Sequence, residues 1–288
     1  MTIAISVKIN DGVVLATDSA STVMGVTPGG PAAPSVINVY NNANKAFNLL
    51  KGCPIGAVTW GAGGIGNASI SSLVKDFRNL LKNGPEGPNG YRLDRDNYTV
   101  QDVATKLRRF IYEENYVNGF AALPPAQKPA LGFIVAGYSA NAPLADEYSI
   151  VIEQGNCGPP QKLRNTEDSG IFWAGMGEPL NRLILGFGTG LPQVLQQNLG
   201  VPGNQVQAAL QVIQQALGVP FAIPAMPLQD AIDLAEFLAD VAAKYSRFAP
   251  GAPVVGGPIE IAAISKHEGF KWVKRKFYFD RNLTPEET

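Results

Sequence analysis

The chain has 288 residues, with 23 Lys and Arg against 24 Asp and Glu and a net charge of −1. That length buries a full core without staples, and the charge balance offers no attraction for nucleic acid or an anionic membrane surface. Charged residues make up only 16%, where soluble domains average about 25%, so part of the surface is expected to be covered by other subunits.

The two cysteines, Cys53 and Cys157, fall outside any CxxC or Cys/His spacing, and a single histidine, His267, excludes a multi-histidine metal site. No metal and no cofactor is expected. The opening MTIAISVKINDG lacks the basic and apolar regions of a secretory signal, which points to the cytoplasm. The 31 glycines and 22 prolines enrich turns but stay below the share that marks low complexity.

In chain order, residues 3–9 and 13–17 are β-branched runs around Asn10-Asp11-Gly12, whose Asp-Gly pair suits a tight hairpin. After the uncharged residues 19–44, AFNLL and IGAVTW flank Lys51-Gly52-Cys53-Pro54 and read as a second hairpin, so four strands precede the first helix. SISSLVKDFRNLLK repeats Ile70, Leu73, Val74, Phe77 and Leu81 at helical spacing. Thr99 with Asp102 has the form of a capping box for VQDVATKLRRFIYEENY. Residues 130–138 and 147–155 read as a hairpin, 170–176 as a strand, and 178–187, 204–217 and 229–247 as helices. The last 229–247 helix is amphipathic through Ala231, Leu234, Ala235, Leu238 and Val241. GGPIEIAAISKHEGFKWVK closes the chain as strand, turn and strand, ahead of a polar tail at 281–288. Hairpins grouped between helix pairs imply an α+β fold of two stacked antiparallel sheets with helices outside. A single domain is expected over 1–288, carrying an uncharged Gly/Pro/Gln-rich insertion around 187–228.

No residue from Leu183 to Gln229 is charged, but Pro192, Pro202, Pro220, Pro224 and Pro227 interrupt the run, so it is not a membrane span. Subunit contact or core is the expected use, with a substrate-facing wall as the alternative. Gly61-Ala-Gly63-Gly-Ile-Gly66 matches GxGxxG, yet it follows the fourth strand, and its nearest downstream acid, Glu86, lies in a Pro/Gly loop. A dinucleotide site needs a βαβ unit here, which the pattern does not supply.

Thr2 becomes the terminus if Met1 is removed, and a small second residue permits that removal. A terminal threonine carries both a hydroxyl nucleophile and an α-amine of pKa about 7.7–8.0 to take its proton. TIAISVKINDGVVLATDSAST resembles the opening of proteasome-type β subunits, bacterial homologues of the ancestral β-subunit type being the nearest comparison; in these an Asp follows the threonine by sixteen residues, as Asp18 follows Thr2. NKAFNLLKGCPIGAVTWGAGG offers Lys45 and Gly61 for the family's lysine and glycine, with a turn two residues longer. FIVAGY, FWAGMG and GGPIEIAAISKHEGF resemble its later strands, so the likeness spans most of the chain.

The resemblance implies an N-terminal nucleophile hydrolase with a four-layer αββα sandwich, assembled as homo-oligomeric rings or stacked rings and cleaving peptides or unfolded proteins. It assigns Thr2, Asp18, Lys45 and Gly61 to catalysis, Ser21 and Thr22 to the peptide backbone, and Phe47, Thr59 and Gly63 to the side-chain pocket. No unfoldase ATPase partner follows from it. Lys45, desolvated beside Thr2, would deprotonate or hold the hydroxyl, Asp18 would hold Lys45, and the Gly61 N–H would stabilise the oxyanion. Two positions depart from the pattern. Gly175-Met176-Gly177 stands where the family has a Gly-Ser-Gly, and KYSRFAPGAPVVGG holds no carboxylate where the family has a second acid, with Ser246 or Tyr245 expected nearby. A silent assembly subunit and an amidase acting on small amides are therefore the competing expectations.

Overall fold

Strand β1 (Ile3–Ile9) is buried along its whole length because its two faces meet two different cores. Ile3, Ile5, Val7 and Ile9 pack toward a helix, and Ala4 packs between two sheets, as the two-residue period of a strand dictates. The computed structural model describes residues 2–25, 35–87 and 89–276. One sheet runs in the order β13 (Gly170–Gly175), β1, β2 (Gly12–Thr17), β14 (Glu260–Ser265), β15 (Gly269–Lys274). The other runs β11 (Asn156–Cys157), β10 (Asp146–Glu153), β9 (Leu131–Gly137), β6 (Ile55–Gly61), β5 (Ala46–Asn48), with β12 (Gln161–Lys162) also on β10. Every pairing is antiparallel.

Three apolar clusters order the layers. The first sheet packs on helix α4 (Leu228–Phe248) through Ala231, Ala235, Leu238 and Ala242, the three alanines letting helix and sheet approach closely. Between the sheets lie Leu15, Val58, Ile134, Ala136 and Ile264. The second sheet packs on α1 (Ile70–Asn83) and α2 (Val100–Arg108) around Phe77, Leu107, Phe133 and Ile150. The fold is thus α+β in four layers, helix, sheet, sheet, helix, held by burial of apolar faces.

Local chemistry sets the element boundaries. Ser69 caps α1 by accepting from Ser72 N–H, and Thr99 and Asp102 form the expected capping box on α2. That second helix changes at Arg109 to wider π-helical turns through Tyr116. The expected 178–187 helix is likewise short, α-helical over Glu178–Leu180 and π-helical over Asn181–Leu185, and Gly186 at φ 82° ends it. Helix α3 (Gly203–Leu217), within the uncharged 187–228 stretch, has no fully buried side chain and exposes Val212 and Leu217. No helix among the described residues is long and apolar enough to cross a membrane. The 281–288 tail lies outside the described residues.

Two expectations are corrected. Eight strands, not four, precede α1 among the described residues: β3 (Ser21–Gly25) pairs with β4 (Ser35–Tyr40), and β7 (Gly64–Ile65) with β8 (Ala68–Ser69). The uncharged 19–44 segment concealed the first pair because it carries no long apolar alternation. In the opening hairpin, Gly12 pairs with Ile9, so Asn10-Asp11 makes the turn. Glycine is required at 12 by packing instead, since a Cβ there would lie 2.6 Å from Ile264 O.

Candidate active site

Thr2 is buried at the head of β1, where its carbonyl accepts from Met176 N–H at 2.8 Å. Gly175, at φ 94°, makes that approach possible, because a Cβ there would run into the Thr2 carbonyl. β2 returns antiparallel to β1 and delivers Asp18 just past its end. Asp18 is fully buried, and burial of a carboxylate is costly unless it is paired and hydrogen-bonded. Here Oδ1 accepts from Ile3 N–H at 3.1 Å and from Lys45 Nζ at 2.8 Å, and Oδ2 accepts from Ala20 N–H and Gly256 N–H at 3.0 Å each.

Lys45 comes from the other sheet, directly ahead of β5. Its Nζ donates to Thr2 Oγ1 at 2.8 Å while bonding Asp18. Burial lowers its pKa from the ordinary lysine value; the ammonium of Lys276 adds to this, and Asp18 and Glu260 oppose it without reversing it. A partly desolvated lysine is thus held against a hydroxyl, with a buried carboxylate on its other side.

Gly61 ends β6. Thr59 N–H donates to Lys45 O and Ala62 N–H to Ala130 O, so ladder alternation turns the Gly61 N–H away from β9, toward the side where β5 has ended. At φ 91°, and with a Cβ position that would run into Ala130 O, the residue has to be glycine. Thr2, Ser21, Thr22, Lys45, Thr59, Gly61 and Gly63 line one cleft of about 80 Å³, together with Ala43, Asn44, Trp60, Ala62 and Ile70. Ser21 faces Gly63 closely: a Cβ on that glycine would lie 3.4 Å from the serine Oγ.

Phe47 does not line this cleft. It is buried in the helix-side core with Phe77 and Leu107, because alternation along β5 sends Ala46 between the sheets and Phe47 toward the helices. Met176 packs on the core beside α4, so the Gly-x-Gly element supplies no hydroxyl side chain. Neither Ser246 nor Tyr245 lines the cleft. Ser246 Oγ accepts from Val255 N–H at 3.1 Å, which holds the loop whose next residue, Gly256, bonds Asp18. The glycines at 61–66 lead into the β7–β8 hairpin and not a βαβ crossover.

Sequence reasoning missed Lys276 and Glu260. Their charged side chains are nearly buried and 2.9 Å apart, and Lys276 also donates to Ser19 Oγ at 2.7 Å. Only Glu260 gave a signal, as a carboxylate opening the strand EIAAIS, whose next four residues are apolar. Asn44, Trp60 and Ile70 gave no comparable signal.

No protein-family model matches the chain, and no curated protein matches it. Many solved structures align with the chain, among them three that cover most of its length. They are a helical assembly of the Anbu complex from Pseudomonas aeruginosa (14% identity, 96% of this chain and 88% of that one, TM-score 0.49), an Anbu mutant from Hyphomicrobium sp. strain MC1 (15%, 98% and 92%, 0.49), and Anbu, an ancestral β-subunit, from Yersinia bercovieri (13%, 95% and 88%, 0.47).

Proposed function

We propose that this chain is a threonine-type hydrolase of the proteasome β-subunit kind, acting through Thr2 once Met1 is removed and cleaving peptides or unfolded proteins. The observation that carries the reading is the bond from Lys45 to Thr2 Oγ1, backed by the buried Asp18. In the reaction, Thr2 Oγ1 bonds to the scissile carbonyl carbon as its proton passes to a free amine, that of Lys45 or of Thr2 itself. The Gly61 N–H stabilises the resulting oxyanion. The C–N bond then breaks, the amine leaves with the proton, and water hydrolyses the acyl-threonine ester by the same route. Ser21 and Thr22 on one wall, and Gly61 and Gly63 on the other, suit a peptide laid in as an added strand.

An oligomeric, cytoplasmic assembly belongs to the same reading. The low charge content and the exposed apolar side chains of the uncharged segment, Leu199 and Val212 among them, support buried contacts there. One observation favours a second reading, a silent assembly subunit: Met176 of the Gly175-Met176-Gly177 element packs on the core beside α4, so no hydroxyl comes from this element to tune the Thr2 amine.

Intact mass after incubation with a threonine-directed β-lactone or epoxyketone tests the proposal. The expected result is a chain without Met1 that gains one adduct, with no adduct on Thr2→Ala. Retained Met1 and no adduct would favour the silent subunit.

A further inference from the structure

Lys276 lies just past β15, yet its ammonium joins three separate segments. It donates to Ser19 Oγ at 2.7 Å and to Ala43 O at 2.6 Å, and it lies 2.9 Å from Glu260 Oε2. Two acceptors thus take hydrogens of the ammonium, and the Glu260 carboxylate stands at ion-pair distance from it. Ser19 directly follows Asp18, Ala43 stands two residues ahead of Lys45, and Glu260 pairs in the ladder with Thr17, the residue before Asp18. Ala43 N–H also donates to Ser19 O at 2.9 Å, so the Asp18 and Lys45 segments are bonded to each other as well. The Lys276 and Glu260 side chains are only 7% and 2% exposed. Desolvation offsets much of the attraction in such a pair, so overall stability is a weak reason for its presence.

Building on the hydrolase reading, we propose that Lys276 and Glu260 are positioning residues for the Thr2–Lys45 pair. Lys276 fastens the segments that carry Asp18 and Lys45 at the spacing that lets Lys45 reach Thr2, and Glu260 balances the charge that Lys276 places beside Lys45. The groups facing the Lys45 amine are Asp18 past β2, Glu260 on β14, Lys276 past β15 and the Thr2 α-amine once Met1 is gone. Lys276 lowers the Lys45 pKa and Glu260 raises it. Single substitutions of the two must therefore act on Lys45 with opposite sign, which a purely structural role would not produce.

Two readouts on the full-length chain test this. Competitive acetylation with acetic anhydride, followed by peptide mass spectrometry across pH, titrates Lys45 without any need for turnover, and β-lactone labelling reports Thr2. Glu260→Gln should move the Lys45 midpoint down and Lys276→Met should move it up. The double variant should return the midpoint toward wild type yet label Thr2 about tenfold or more slowly, since the fastening is gone. Midpoints that stay put, or that move the same way in both single variants, would overturn the proposal. Should Lys276→Met not fold, Glu260→Gln, which removes only charge, carries the test. A wild type that forms no β-lactone adduct would sink the hydrolase reading, while acetylation still decides whether the pair sets Lys45.

Discussion

Lys45 Nζ lies 2.8 Å from Thr2 Oγ1, across 43 residues of chain and from the opposite sheet. The two sheets thus meet at the proposed nucleophile, and whatever separates them there separates the Lys45 amine from the Thr2 hydroxyl. Lys45→Ala removes the amine but leaves Thr2 in place. Its β-lactone labelling is expected to fall about 10²- to 10⁴-fold, the range of a lost general base, with the fold retained by circular dichroism at a stability lowered because Asp18 loses its buried partner.

Labelling by the wild type should depend on pH with a defined sign. Burial sets the Lys45 pKa below that of an ordinary lysine, so its free amine, the form that accepts a proton, becomes populated at lower pH than in an exposed lysine. The rate is expected to rise with pH through a midpoint below about 10.4, the unperturbed lysine value. Lys45→Ala should lose that rise and keep only the limb set by the Thr2 α-amine.

Asp18 is the most heavily bonded group of the site. Asn would present an NH₂ to the N–H groups of Ala20 and Gly256, or to that of Ile3 and the Lys45 ammonium. Asp18→Asn is therefore expected to lower stability by about 3–5 kcal/mol, the cost of breaking a buried pair. Urea unfolding at neutral pH measures it, and a loss under about 1 kcal/mol would mean that the carboxylate is not held as described.

Gly61 combines a left-handed backbone with a Cβ position blocked by Ala130 O. Gly61→Ala should cost about 1–3 kcal/mol from backbone strain and slow labelling as the N–H is re-aimed. Unchanged stability and labelling would remove Gly61 from the oxyanion role.

Thr59 and Phe47 should separate cleft from core. Thr59→Trp fills a cleft of about 80 Å³ and is expected to block bulky acyl probes before small ones. Phe47→Ala should leave the probe preference unchanged and lower stability by about 3–5 kcal/mol, the usual cost of an emptied aromatic site in a core. A probe profile unaffected by Thr59→Trp would count against the pocket assignment.

Local patterning in the sequence determined most of the elements, the short β3–β4 and β7–β8 pairs excepted. The Thr99–Asp102 capping box, the helical spacing from Ile70 to Leu81 and the grouped hairpins are short-range features, and the structure shows each of them. The Thr2-to-Asp18 spacing likewise follows from one hairpin, since two paired strands must bring Asp18 back beside Ile3. Only the tertiary structure decided which way Phe47 points, that Asn10-Asp11 makes the turn, and that Lys276 and Glu260 stand behind the cleft. Those outcomes depend on register and on contacts between segments more than 200 residues apart, such as Lys276 with Ser19. A sequence pattern carries propensity and period, whereas the partner of a buried charge is settled by which layers stack and where each strand ends.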